Sequence, residues 1–182
     1  MKLEKVRIRI ILLASCLVLS TLVSCGPKER IAVSQLDTPG HHTYTGLKLL
    51  ELEKYSDARR EFKMATQLDS KYSKAYAGMA LVNICTGKLL AASNNMEEAS
   101  RNAQTNDEKL FVHVVNIRYH TSDKSDPHWL EMAKKDFKEA VLIDPKHAPV
   151  YYYMGLAYKD GLEFGEAARM FDTVLKLKTD HI

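Results

Sequence analysis

Residues 151–174 read YYYMGLAYKDGLEFGEAARMFDTV, and this stretch decides the fold. Tyr151, Met154, Gly155 and Tyr158 are spaced at three, four and seven residues, which sets them on one stripe of a helix. Gly161 interrupts the pattern. Ala167, Phe171 and Val174 then mark a stripe on a second helix, spaced by four residues and then three. The second stripe recurs upstream as Ala133, Phe137 and Ala140, as Ala92, Met96 and Ala99, and as Ala58, Phe62 and Ala65. A chain that repeats one helical stripe four times is a stack of helix pairs rather than a fold built round one catalytic pocket, and such stacks mainly bind other molecules.

Working outward, helices are expected over 42–53 and 56–68, 73–86 and 90–103, 107–120 and 127–145, and 149–159 and 163–178. Thr105 to Glu108 has capping-box form. A polar insert, Thr121 to Asp126, separates the third pair's helices, and Asp126-Pro127 is a good cap and first-turn pair for the helix that follows. No alternating strand pattern of convincing length occurs, so the reading is all-α.

The layout resembles the tetratricopeptide repeat, a helix pair of about 34 residues. The fourth copy carries Tyr151, Met154, Gly155, Tyr158, Ala167 and Phe171, with Val174 in place of the last Ala. The first carries Gly46, Ala58, Phe62 and Ala65, the second Tyr76, Met79, Ala80, Ala92, Met96 and Ala99. The third carries Ala133, Phe137, Ala140 and Pro145, with Leu110, Val114 and Ile117 on a first helix followed by about seven extra residues. The resemblance covers about residues 39–181 and implies an α-solenoid, a right-handed superhelix of about four helix pairs, with repeats at about 39–72, 73–106, 107–147 and 148–181 in a domain over 41–182. Gly46 and Gly155 are expected to face Ala58 and Ala167 where paired helices cross closely, with Phe62, Phe137 and Phe171 in the wedge between successive pairs.

The resemblance also implies a concave face lined by the first helix of each pair. Its ligand-facing positions fall on Thr43, Leu47 and Leu50, on Lys74, Ala77, Leu81 and Ile84, on Phe111, Val115, Arg118 and Tyr119, and on Tyr152, Leu156 and Lys159. This surface is mostly apolar and aromatic with basic residues at intervals, and it suits an amphipathic helix or an extended peptide with hydrophobic anchors. The family's carboxylate clamp wants Lys and Asn where Thr43 and Leu47 stand, so a receptor for acidic C-terminal tails is not expected. Two other readings stay open. The residues pack on neighbouring helices or on the tether, or an uncapped last repeat stacks on a second copy.

The chain's start reads differently. Lys2, Lys5, Arg7 and Arg9 precede an uncharged stretch of 16 residues, Ile10 to Cys25. That is shorter than the ~20 residues a bilayer-spanning helix needs, and it has the form of a secretory signal over 1–24. Leu22-Val23-Ser24-Cys25 resembles the bacterial lipobox, which implies cleavage before Cys25 and a lipid anchor on its thiol and new amine. An ordinary signal peptide with an incidental Cys is the alternative. Residues 25–40, punctuated by Pro27, Pro39 and Gly40, read as a tether with a short helical turn around Ile31 to Leu36. Gly26 after the Cys implies the outer membrane, facing the periplasm.

The 182-residue chain carries 26 basic and 23 acidic side chains, a net charge of +3. Loss of residues 1–24 removes Lys2, Lys5, Arg7, Arg9 and Glu4 and leaves 22 of each sign. A nucleic-acid role thereby loses its main support. No HExxH, phosphate loop, nucleophile elbow or CxxC occurs. His113 and His120 share a face but lie about two turns apart, too far to chelate one ion. Cys85, on an apolar stripe, reads as core filler, and Trp129 as a cover for the insert. The expectation is a non-enzymatic, lipid-anchored adaptor with no cofactor or metal. Its expected partner is a protein or peptide: a pilus or secretion subunit, or a cell-wall enzyme or its regulator.

Overall fold

The computed structural model of the chain describes residues 37–179. The signal segment, Cys25 and the turn around Ile31 to Leu36 lie outside the described residues. Within them, eight helices follow in four antiparallel pairs: α1 (Pro39–Glu51) with α2 (Tyr55–Leu68), α3 (Ser73–Cys85) with α4 (Leu89–Asn102), α5 (Asn106–Ser122) with α6 (Trp129–Ile143), and α7 (Ala148–Asp160) with α8 (Phe164–Thr179). No strand occurs among the described residues. None of these helices is long and apolar enough to cross a membrane.

The odd and even helices differ in how they are used. Each even helix buries one narrow stripe, such as Ala58, Phe62 and Ala65 on α2 or Ala92, Met96 and Ala99 on α4. The odd helices pack on one another in sequence, α1 on α3, α3 on α5 and α5 on α7. They are therefore covered on several sides. α3 buries Ser73, Ala75, Ala77, Gly78, Ala80, Leu81, Val82 and Asn83, and apolar character all round is what such a position demands.

Two of the repeat glycines seat phenylalanines. A Cβ on Gly46 would lie 2.7 Å from the Phe62 ring, and one on Gly155 would lie 2.6 Å from the Phe171 ring. Gly46 and Gly155 thus each clear room for the phenylalanine of their own pair. Gly78, outside the repeat pattern, completes the first seat: its Cβ would lie 2.3 Å from Phe62. Phe62 is consequently clamped between α1 and α3 and is fully buried.

Local signals set the helix ends. Thr38 caps α1 by accepting from the His41 amide (3.1 Å), with Pro39 in the first turn. Thr105 and Glu108 form the expected capping box on α5. Left-handed backbone falls at Glu53 (φ 57), Gly87 (φ 70) and Leu162 (φ 63), one in each of three turns between paired helices. Only Gly87 is free of the Cβ penalty there. Gly161 closes α7 as its C-cap, with an ordinary φ of −84 rather than a left-handed one. Its missing side chain instead leaves room for Leu130, whose Cδ2 would lie 2.7 Å from a Cβ.

The insert is displaced by two residues, because α5 runs on through Ser122 and α6 starts at Trp129 rather than at Asp126-Pro127. Asp126 accepts from the His128 amide (2.7 Å) in the turn before it. Asp123 ties the connection, accepting from the Ser125 hydroxyl (2.7 Å) and the Tyr119 hydroxyl (2.8 Å). These bonds hold its carboxyl below its ordinary range. Lys124 bonds Asp160 across the turns (3.0 Å) and sits 5.2 Å over the Trp129 ring, so Trp129 does cover this segment.

Candidate partner-binding groove

Because the odd helices lie side by side, residues one face apart on each come together along a single wall. A cleft of about 330 Å³ is bounded by Leu47, Leu50 and Glu51 of α1, Leu81 of α3, and Phe111, Val114, Val115 and Arg118 of α5. Tyr153 and Pro149 of α7 and the preceding His147 close it. A second depression of about 320 Å³ adjoins it, lined by Ile84 and Cys85 of α3, Arg118, Thr121 and Ser122 of α5, and Tyr153 and Leu156 of α7. Arg118 and Tyr153 border both. The Arg118 guanidinium stacks over the Tyr153 ring at 4.6 Å from its centroid.

Of the positions expected to line the concave face, Leu47, Leu50, Leu81, Phe111, Val115 and Arg118 meet in the first cleft, and Ile84 and Leu156 join Arg118 in the second. The others sit elsewhere. Ala77 is sealed in the core at 0% exposure and Thr43 is 3% exposed, so neither offers surface to a ligand. Among the described residues the buried Thr43 hydroxyl finds no hydrogen-bond partner. Lys74 is engaged by Asp107 in the first turn of α5. The Tyr119 hydroxyl is spent on Asp123. Burial is the main reason its ionisation is pushed up, with Asp123 adding to it. Lys159 is exposed and lies 3.7 Å from Asp160. Tyr152 faces a different hollow, about 270 Å³, with Ala148, Pro149, Tyr153, Val174 and Lys178, and its ring tilts over Phe171 at 6.1 Å.

Tyr153 is a wall residue that the repeat spacing did not give, as are Val114 and Pro149. One residue turns a helical position by about 100°, so Tyr152 lines the hollow beside Val174 while Tyr153 reaches the cleft. The only available signal was the run Tyr151-Tyr152-Tyr153 opposite Arg118. Cys85 is exposed at the end of α3 rather than packed as core filler, because α3 finishes there and the cleft opens beside it.

Away from the groove, two histidine arrangements tie helices together. His42 is held between Glu61 (2.7 Å) and Asp37 (3.0 Å), and those hydrogen bonds, Glu61 foremost, raise its pKa above the ordinary 6.5. Asp136 of α6 accepts from His113 (2.7 Å) and Asn116 (3.1 Å) of α5, and His120 lies 3.4 Å from its other oxygen. Burial works to raise the Asp136 pKa, but these donors outweigh it and hold the carboxyl below its usual range. Among the described residues no group of three or more His, Cys, Asp or Glu is placed to hold a metal ion.

The helix pairs superpose on solved structures of known repeat type. TTC0263, a thermophilic TPR protein of Thermus thermophilus, matches with a TM-score of 0.63 at 19% identity, over 78% of this chain and 75% of that one. The fold is a tetratricopeptide-type α-solenoid. MamA residues 41 to the end, from Desulfovibrio magneticus RS-1, match with a TM-score of 0.54 at 17% identity, over 78% of this chain and 76% of that one. In sequence, the chain is similar to human tetratricopeptide repeat protein 6, at 25% identity over 136 residues, and to anaphase-promoting complex subunit 6 of Arabidopsis thaliana, at 29% over 126 residues. These matches cover 75% and 68% of this chain. The chain spans about a quarter of the length of these relatives. No protein-family model matches it. The likeness gives the fold, and in that fold the wall between the odd helices borders the two open hollows.

Proposed function

We propose that this chain is a non-enzymatic adaptor, anchored to a membrane through lipid on Cys25, whose concave groove seats a segment of a partner protein. The observation that carries the reading is the continuous apolar wall contributed by all four odd helices, from Leu47 on α1 to Leu156 on α7. Such a wall suits apolar side chains projecting at helical or extended spacing. The lipobox-like Leu22-Val23-Ser24-Cys25 supports the anchor, and Gly26 supports the outer membrane facing the periplasm. Two or more acyl chains would hold the body there stably, at roughly 0.8 kcal/mol per buried CH₂. In that setting the partner is a component of an envelope, pilus or secretion assembly, or a cell-wall enzyme under regulation. No nucleic acid and no cofactor enter the proposal.

The test has two parts. Cells grown with an alkyne fatty acid should label the chain, and Cys25→Ser should abolish the label. A photoreactive residue at Phe111, half-buried in the cleft, should crosslink a distinct protein. The same residue at Leu142, 78% exposed on α6 away from the groove, should not. Identical products from both positions, or only self-crosslinks, would overturn the groove reading. Light scattering decides the second reading, self-association: a stable oligomer that captures no other protein would favour it. That reading draws on exposed Phe164 and Leu175 of α8.

A further inference from the structure

Arg118 is the charged side chain that borders both hollows of the groove. It rises from α5 between two apolar hollows, with its flat face on Tyr153. Among the described residues it forms no ion pair. The other ionisable side chains of the first cleft have acidic or basic neighbours. Glu51 is held by Lys48 at 2.9 Å, and His147 lies 3.8 Å from Asp144. Stacking fixes the guanidinium plane and leaves its edge, with several N–H donors in a rigid fork, aimed at whatever enters the groove. Apolar surroundings make a carboxylate at that edge worth more than it would be in open water.

We infer that the groove selects a partner segment in which an Asp or Glu is flanked by aliphatic or aromatic residues. The carboxylate lies against Arg118, and the apolar neighbours fill the hollows on either side. This rests on the groove reading above and names the ligand chemistry of that surface. A single carboxylate neutralises a single guanidinium, and charge complementarity therefore sets one acidic residue amid apolar ones. The site is not the family's Lys and Asn clamp, whose positions hold Thr43 and Leu47 here.

The test pans the full-length chain, held in detergent micelles, against a random displayed peptide library. Peptides that compete with crosslinking at Phe111 are retained. They should carry an acidic residue beside apolar ones. Changing that residue from Asp to Asn, or from Glu to Gln, should weaken binding roughly ten- to a hundredfold. Arg118→Gln should do the same, the two changes together should add little, and Arg118→Lys should restore only part of the loss. An unchanged melting temperature for Arg118→Gln keeps the comparison one of binding. Groove-binding peptides that need no acidic residue would overturn the carboxylate assignment and leave the groove reading standing. Absence of any groove-binding peptide would overturn both. An oligomer dispersed by Arg118→Gln would make a second copy the occupant and also overturn it.

Discussion

The first junction of the stack and its last pair use the same residue to different ends. At the first junction Phe62 lies between Gly46 of its own pair and Gly78 of the next, and is fully buried. In the last pair Phe171 has Gly155 on one side and the Tyr152 ring beside it, and stays partly exposed. The repeated side chain is therefore only half of a packing unit. The other half is the space cleared by the following odd helix, and burial follows from the presence of both.

The largest expected effect sharpens this contrast. Phe62→Ala should cost roughly 3–5 kcal/mol, because the seat is closed on both sides and cannot collapse. Phe171→Ala should cost less than half as much, since its outer side already meets solvent. Urea unfolding of the two variants measures both, and equal losses would break the comparison.

Next comes the cleared space itself. Gly78→Ala places a methyl 2.3 Å from the Phe62 ring and should destabilise by roughly 1–3 kcal/mol. Gly165→Ala, near the start of α8 with nothing within 4 Å of the added Cβ, should instead stabilise by up to about 1 kcal/mol. A loss at both positions would mean that glycine is needed for reasons other than room.

A smaller effect separates the turns. Leu162 holds a left-handed backbone at φ 63 with its side chain 74% exposed, while the equivalent turn of the second pair uses Gly87. Leu162→Gly should raise the unfolding free energy by about 0.5–1 kcal/mol, and Gly87→Ala should lower it by a similar amount. No change at either position would remove the strain argument.

The smallest effect is a pH dependence confined to the first pair. His42 is stabilised in its charged form by Glu61 and Asp37. A raised native pKa adds stability that is complete below about pH 6.5 and fades as pH rises through the native value. Glu61→Gln should flatten that alkaline slope, and an NMR titration of His42 should move toward its ordinary value. An unchanged slope would show that the pair is neutral in the native protein.

Much of this was legible in the sequence, for identifiable reasons. The helix ends fall within about three residues of those the periodicity sets, because each turn carries its own polar or glycine signal. The Thr105–Glu108 cap was readable since it is local. What needs a partner across space was not. Periodicity gives the buried face of α1 but not that Gly46 meets Phe62, and Gly78 lies outside the repeated pattern altogether. Leu162 was hidden by Gly161 beside it, which looks like the residue that would take the left-handed turn. In the groove, Leu47, Leu81 and Val115 follow the repeat spacing and converge. Tyr152 faces the hollow beside Phe171 while its neighbour Tyr153 reaches the cleft, because one residue turns a helical position by about 100°.

The central claim is that partners are held by the wall between the odd helices, and Phe111→Glu tests it most directly. The affinity of the protein crosslinked from this position should be measured for the native chain and for the variant, alongside both melting temperatures. A loss of about thirtyfold or more with unchanged melting is the expected result. Undiminished affinity in a folded variant would contradict the account.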